Sequence, residues 1–206
     1  MARYAAIMSI RPLFVTNLYQ VQIGAPDLLD ELGHSIRTLA VDDRAGVGWS
    51  RDHHYPGYTS YASLDDLPRR DPVIGDLAKL LAKHAASFAN DCAFDLGRKP
   101  KLDSLWVNLL KGGGHHSAHI HPHSIISGTF YVEAPPGSGQ IRFEDPRLPM
   151  MMAAPQRLPD APEPLRSFVT IDPTPGMLLL WESFVRHEVL PGKAKAERLS
   201  ISFNFA

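Results

Sequence analysis

The chain has 206 residues, is 44% apolar and carries a formal net charge of −1, which gives no electrostatic basis for binding nucleic acid or a membrane surface. Its single cysteine, Cys92, excludes an internal disulfide and a thiolate zinc cluster. No apolar run reaches the roughly 18 residues that span a bilayer, and Met1 to Ile10 lacks a signal-peptide pattern, so a cytoplasmic protein is expected.

The length suits a single domain over 1–206, with an N-terminal part at 1–100 and a β-rich core at 101–206. Residues 11–23 read as a strand, with Leu13, Val15, Leu18, Val21 and Ile23 among turn formers. Pro26 and Asp27 open a helix, since proline suits the first turn and aspartate favours a helix N-terminus. Leu28, Leu29, Leu32, Ile36, Leu39 and Ala40 continue its stripe. From Asp42 to Asp71 the periodicity breaks, and Trp49, Tyr55, Tyr58 and Tyr61 lie among Gly, Ser, His and Asp. This predicts a long ordered loop of the kind that carries function.

A second helix is predicted over Val73 to Phe94, with Leu77, Leu80, Leu81, His84, Phe88 and Cys92 on one face. That face reads as core packing, His84 and Cys92 included. Short runs bounded by Gly and Pro then predict seven strands: Ser104–Leu110, Ile125–Glu133, Gln140–Glu144, Ser167–Ile171, Met177–Glu182, Val185–Leu190 and Arg198–Phe205. The expected fold is mainly β with flanking helices (α+β), a sandwich or jelly roll with two N-terminal helices on one face. The Pro- and Met-rich stretch 148–165 reads as an insertion, with Met150, Met151 and Met152 placed either at a substrate entrance or over the core edge.

Five histidines fall within the nine positions from His115 to His123. In extended chain, residues two apart share a side, so His119 and His121 can aim two imidazoles at one point. Neutral imidazole suits iron, zinc, copper and nickel, although a pair alone fits a solvated polar loop as well. A distant third imidazole, His187, follows the apolar run Met177–Trp181. In the last run, Arg198, Ser200, Ser202 and Asn204 alternate with Leu199, Ile201, Phe203 and Phe205. Such a polar face either meets water or lines a polar pocket. In a pocket, Arg198 offers a carboxylate a planar, charge-assisted fork, and Ser200 adds a third donor.

An HxH pair, a distant His, and an Arg about ten residues on resemble the layout of iron(II)- and 2-oxoglutarate-dependent oxygenases. Trp106-x-Asn108, Ser127-Gly128-Thr129-Phe130-Tyr131-Val132, Phe143-Glu144-Asp145-Pro146-Arg147 and Arg198-x-Ser200-x-Ser202-x-Asn204 extend the resemblance over residues 100–206. They place it in a bacterial and phage branch of that family with a double-stranded β-helix. Arg11-Pro12-Leu13-Phe14 to Tyr19 fits the family's opening strand. The resemblance implies His119, His121 and His187 as ligands of Fe(II) and as the catalytic centre. It implies Arg198 as the anchor of the far carboxylate of the cosubstrate 2-oxoglutarate, with Ser200 and Tyr131 assisting and Asn108 and Asn204 as further pocket residues. O2 and a small-molecule or peptide substrate complete the expected reaction, and a homodimer is compatible with it.

One departure stands out. The family usually has a carboxylate where this chain has His121. An all-imidazole set carries one negative charge less, which weakens metal binding; alternatively Asp145 or Glu144 enters from the neighbouring strand as the third ligand. His115, His116 and His123 read as solvated or as orienting groups, and His53 and His54 as solvated. Two rival readings remain. A cupin-like three-His iron dioxygenase that uses no 2-oxoglutarate explains the imidazoles directly but leaves Arg198 and Ser200 idle. A non-enzymatic β-sandwich holding a structural metal would want four closed ligands and likewise has no use for Arg198.

Overall fold

Polar–apolar alternation decides which face of each strand meets the helices. In the computed structural model, which describes residues 10–206, the chain forms β1 (Leu18–Gln22), α1 (Pro26–Asp42), α2 (Arg44–Asp52), β2 (Gly57–Thr59), α3 (Leu67–Arg70) and α4 (Pro72–Asp91). There follow β3 (Leu102–Leu110), β4 (His116–His119), β5 (Ile126–Glu133), β6 (Ile141–Glu144), β7 (Phe168–Ile171), β8 (Met177–Glu182), β9 (His187–Val189) and β10 (Arg198–Phe205). Residues 1–9, where no signal-peptide pattern is read, lie outside the described residues.

The strands build two antiparallel sheets. One has six strands in the order β1-β8-β5-β10-β3-β2, the other four in the order β4-β9-β6-β7. Leu199, Ile201, Phe203 and Phe205 of β10 are fully buried on the outer side of the larger sheet. They share one apolar cluster with Val107 and Phe130 and with Leu32, Ile36, Leu77, Leu81 and Phe88 of α1 and α4. The helices therefore cover that side, as the amphipathic stripes require. The inner side faces the smaller sheet, where Tyr131, Met177, Leu179 and Trp181 pack against Ile141 and Phe143. No helix among the described residues is long and apolar enough to cross a membrane.

Two local devices set the geometry. Where β5 pairs with β10, the register steps from Glu133↔Leu199 to Tyr131↔Ser200 and leaves Val132 without a partner. This bulge keeps Tyr131 on the inner face beside Ser200 while Glu133 turns outward. There Glu133 takes both ends of the Arg37 fork from α1, at 2.7 and 2.6 Å. The second device is Gly128, opposite Phe203. A Cβ at 128 would stand 2.4 Å from the Phe203 ring and 2.7 Å from the Leu179 carbonyl oxygen. Gly128→Ala is expected to lower the melting temperature, because neither neighbour can retreat. Overpacking of this kind costs about 1–3 kcal/mol, worth about 2–4 °C per kcal/mol in a domain of this size. Thermal unfolding followed by circular dichroism reads the effect, and an unchanged midpoint would contradict it.

Three expectations need correction. Residues 11–17 are not strand; β1 starts at Leu18, where the Met177–Trp181 edge of β8 begins to offer it backbone partners. Leu13, Phe14 and Val15 stay exposed. Residues 42–71 are not one loop but hold α2, β2 and α3. Asp43 organises that segment. Its carboxylate accepts from Gly46 N at 3.0 Å, Tyr58 OH at 2.8 Å and Ser63 Oγ at 2.5 Å. Burial pushes its pKa up, but these hydrogen bonds outweigh burial and hold the group below the usual carboxylate range. Finally, the 148–165 insertion folds outward in two short 3-10 turns, leaving Met150 and Met152 exposed.

Candidate metal centre

The backbone sets the three imidazoles before any side chain does. His119 ends β4 and stands opposite His187 of β9. His121 follows in the loop, where its own N–H donates to the Ser183 carbonyl at 3.1 Å. The ring centroids of the three lie 4.4 to 5.1 Å apart. One ligand nitrogen from each falls within 4.8 Å of the other two.

The proton positions follow from the acceptors. Nδ1 of His119 lies 2.8 Å from the Ser117 carbonyl oxygen, and Nδ1 of His187 lies 3.0 Å from that of Val185. A carbonyl only accepts, so both Nδ1 atoms carry the proton and both Nε2 atoms present lone pairs. Nδ1 of His121 lies 2.6 Å from Asn204 Oδ1 and 2.9 Å from Ser127 Oγ. Nε2 of His121 meets Nε2 of His119 at 3.1 Å. Burial depresses the pKa of all three rings, and that of His187 is pushed down to about 3, its neighbouring imidazoles adding to the effect. Neutral rings with converging lone pairs are the donor set a divalent transition metal requires.

The same cavity, about 380 Å3 in volume, is lined by Arg198, Ser200, Tyr131, Asn108 and Asn204 as well as the three imidazoles. Arg198 is 7% exposed. Its Nη1 donates to the Gly139 carbonyl at 3.0 Å, its guanidinium lies 5.6 Å from the Tyr131 ring centre, and its Nε has no partner among the described residues. Among the described residues, no Asp or Glu lines the cavity. A buried guanidinium without a counter-ion is costly, and this one faces a space where an anionic ligand fits. Trp181 Nε1, in the same wall, is the other buried side-chain nitrogen left without a partner among the described residues. Burial raises the pKa of the Tyr131 phenol, with the Arg198 charge opposing, and pushes the Tyr55 phenol up to about 12. Both stay protonated and can donate.

Asn108 and Asn204 line the cavity as expected, and their side chains are already engaged with neighbouring residues. Asn204 lines the cavity but spends its carbonyl on His121. Asn108 spends its own on Thr59 Oγ1 at 2.8 Å and Tyr55 OH at 3.3 Å, and donates to Ser202 Oγ at 3.1 Å. Asp145 does not approach the imidazoles; it pairs with Arg147 at 2.8 Å, and Glu144 pairs with Arg186 at 3.4 Å. Met150, Met151 and Met152 do not line the cavity, whereas Trp49, Tyr55, Tyr61, Trp106 and His116 do. Tyr61 meets Trp106 edge to face at 5.2 Å, and Trp49 stacks on exposed His53 at 4.1 Å. Thr59 and Ser183 carried no local signal of a site; they matter through their places in β2 and just after β8.

No curated protein matches the sequence. Among solved structures, a prolyl-4-hydroxylase from Pseudomonas putida superimposes with a TM-score of 0.62 at 20% identity, covering 92% of each chain. HygX from Streptomyces hygroscopicus, solved with nickel and 2-oxoglutarate bound, gives 0.59 at 12% identity over 93% of this chain and 82% of that one. A prolyl hydroxylase from Trichoplax adhaerens, in complex with a hypoxia inducible factor peptide fragment, gives 0.58 at 16% identity over 91% and 82%. These likenesses establish the double-stranded β-helix fold. Residues 104–204 match the family model described as "Putative 2OG-Fe(II) oxygenase". The matched segment holds all three converging imidazoles and Arg198, so the residues that form the site lie in the part of the chain that resembles a 2OG-Fe(II) oxygenase.

Proposed function

We propose that this protein is a hydroxylase-type oxygenase in which His119, His121 and His187 hold iron(II) and Arg198 anchors 2-oxoglutarate. The observation that carries the reading is the sharing of one cavity by three metal-ready imidazoles and a buried guanidinium with no counter-ion. Three imidazoles by themselves would suit a structural metal, and a buried arginine by itself would suit a braced turn. Side by side in one cavity, they call for both a cation and a dianion.

When bound, iron(II) and 2-oxoglutarate supply the oxidising chemistry, coupling decarboxylation of the cosubstrate and reduction of O2 to oxidation of a C–H bond. The chain's own residues bind and orient. Arg198 offers the far carboxylate its unpartnered Nε and remaining Nη hydrogens, with the Ser200 hydroxyl and Tyr131 phenol beside it. The bulge at Val132 serves this role by keeping Tyr131 next to Ser200. Trp49, Tyr61 and Trp106 form an aromatic wall on the same cavity. That wall receives a small molecule or a peptide side chain and excludes water from the reacting carbon. The domain works as one unit, because β1 and the helices complete and cover the sheet that carries Arg198.

The test is a visible spectrum under anaerobic conditions. Iron(II) and then 2-oxoglutarate are added to metal-free protein, and a charge-transfer band absent from either component alone is expected. Iron binding without a band at high 2-oxoglutarate would remove that cosubstrate and favour a three-His dioxygenase instead.

A further inference from the structure

His121 is held differently from its two neighbours. His119 and His187 each give their Nδ1 proton to a backbone carbonyl two residues back in their own chain segment. His121 gives its proton to side chains on the opposite sheet, Asn204 on β10 and Ser127 on β5, which are cross-strand partners. Asn204 is 8% exposed and Ser127 fully buried.

The side-chain hydrogen bonds around Asn204 form one connected chain. Asn204 Nδ2 donates to Ser104 Oγ at 3.0 Å, so its Oδ1 faces His121. Ser127 Oγ also donates to that Oδ1, at 2.8 Å, and stands 2.7 Å from Ser183 Oγ. The acceptor Oδ1 at 2.6 Å requires a proton on His121 Nδ1. The other tautomer would set two lone pairs against each other there, and would also put a proton where the metal belongs. A carboxylate in place of His121 could present either oxygen and would need no such control. An imidazole has one lone pair, and its tautomer and ring plane must both be fixed.

We infer that Asn204 is a positioning residue: it fixes His121 as the Nδ1–H tautomer and so creates the third metal ligand of an all-imidazole site. The inference rests on His121 being a ligand, as proposed above. The Asn204 amide is engaged with His121, Ser127 and Ser104, so it acts through His121.

Three proteins decide it: the wild type, Asn204→Leu and Asn204→Asp, each titrated anaerobically with iron(II) and with cobalt(II), whose visible spectrum reports its ligands. Asn204→Leu is expected to weaken metal binding about 10- to 100-fold, the usual effect of losing a group that orients a ligand. Asn204→Asp accepts the same proton and adds a negative charge behind the ring, so wild-type affinity or better is expected. In the metal-free wild type, proton–nitrogen correlation spectra of the imidazoles, with His121→Gln for assignment, are expected to show His121 protonated at Nδ1. A purely structural Asn204 would change the melting temperature and leave the affinity and the tautomer alone. Equal affinity in Asn204→Leu, failure of Asn204→Asp to exceed it, or protonation at Nε2 would each overturn the inference. If Asn204→Leu does not fold, Asn204→Asp and the tautomer decide. A wild type that binds neither metal would sink the metal reading, and the tautomer spectrum would still judge Asn204.

Discussion

Arg198→Met is expected to separate two measurements. Affinity for 2-oxoglutarate should fall at least ten- to a hundredfold, while the ligand-free protein should melt at or above the wild-type temperature. The first effect follows from losing a charge-assisted hydrogen bond, worth about 1.5–3 kcal/mol. The second follows from the state of the guanidinium without a ligand. It is buried; among the described residues its only hydrogen bond runs from Nη1 to Gly139 O, and its Nε has no partner. Desolvating an unpaired charge is unfavourable, and methionine keeps most of the apolar stem without it. Isothermal titration with 2-oxoglutarate on the iron(II) or nickel(II) form reads the affinity, and a thermal melt reads the stability. The wild type should also gain about 2.7 kcal/mol of stability at a hundredfold excess of ligand over Kd, a gain the variant should lack. An arginine that merely braced the Gly139 turn would give the reverse pattern, with stability lost and affinity kept.

His121→Ala is expected to lower iron(II) affinity about a hundredfold or more. Structural zinc sites with four ligands bind with about 10–16 kcal/mol, which sets the scale of one ligand at about 3 kcal/mol. His119 and His187 would remain, their protons still on Ser117 O and Val185 O, but two ligands do not make a site. Metal content after dialysis against a weak chelator, compared with His119→Ala and His187→Ala, separates the contributions. Full iron retention would show that His121 is not a ligand and point back to a carboxylate. The geometry argues against that outcome, since Asp145 and Glu144 are engaged with Arg147 and Arg186.

Strong periodicity made the better part of the fold legible. Period-two alternation in Arg198–Phe205 separates a polar face from an apolar one, and the polar face lines the cavity while the apolar face meets the helices. The stripes of α1 and α4 are equally direct. The three imidazoles that converge are named by the resemblance that HxH, a distant His and Arg198 carry. What failed was whatever depends on a partner elsewhere in the chain. Leu13 and Val15 look like strand, but backbone partners from β8 begin only at Leu18. The glycines of α2 hide a helix, because Gly46 is there to make room for the Asp43 cap and Tyr58 rather than to break structure. The role of Asn204 needs the register that sets it opposite Ser127 and across from His121, and no local pattern contains that register.

The way the three imidazoles divide between the sheets has a mechanical consequence. His119 and His187 sit on strands of the smaller sheet, while His121 is tied by Asn204 and Ser127 to the larger one. An ion gripping all three is therefore a rivet through both layers. The strand that would gain most from it is β4, which lies at the border of the smaller sheet and, among the described residues, meets one neighbour, β9, in two register pairs. A bound ion would add two ligand bonds from His119 and His187 to those two register pairs, and a third from His121 that fastens this border to the opposite layer.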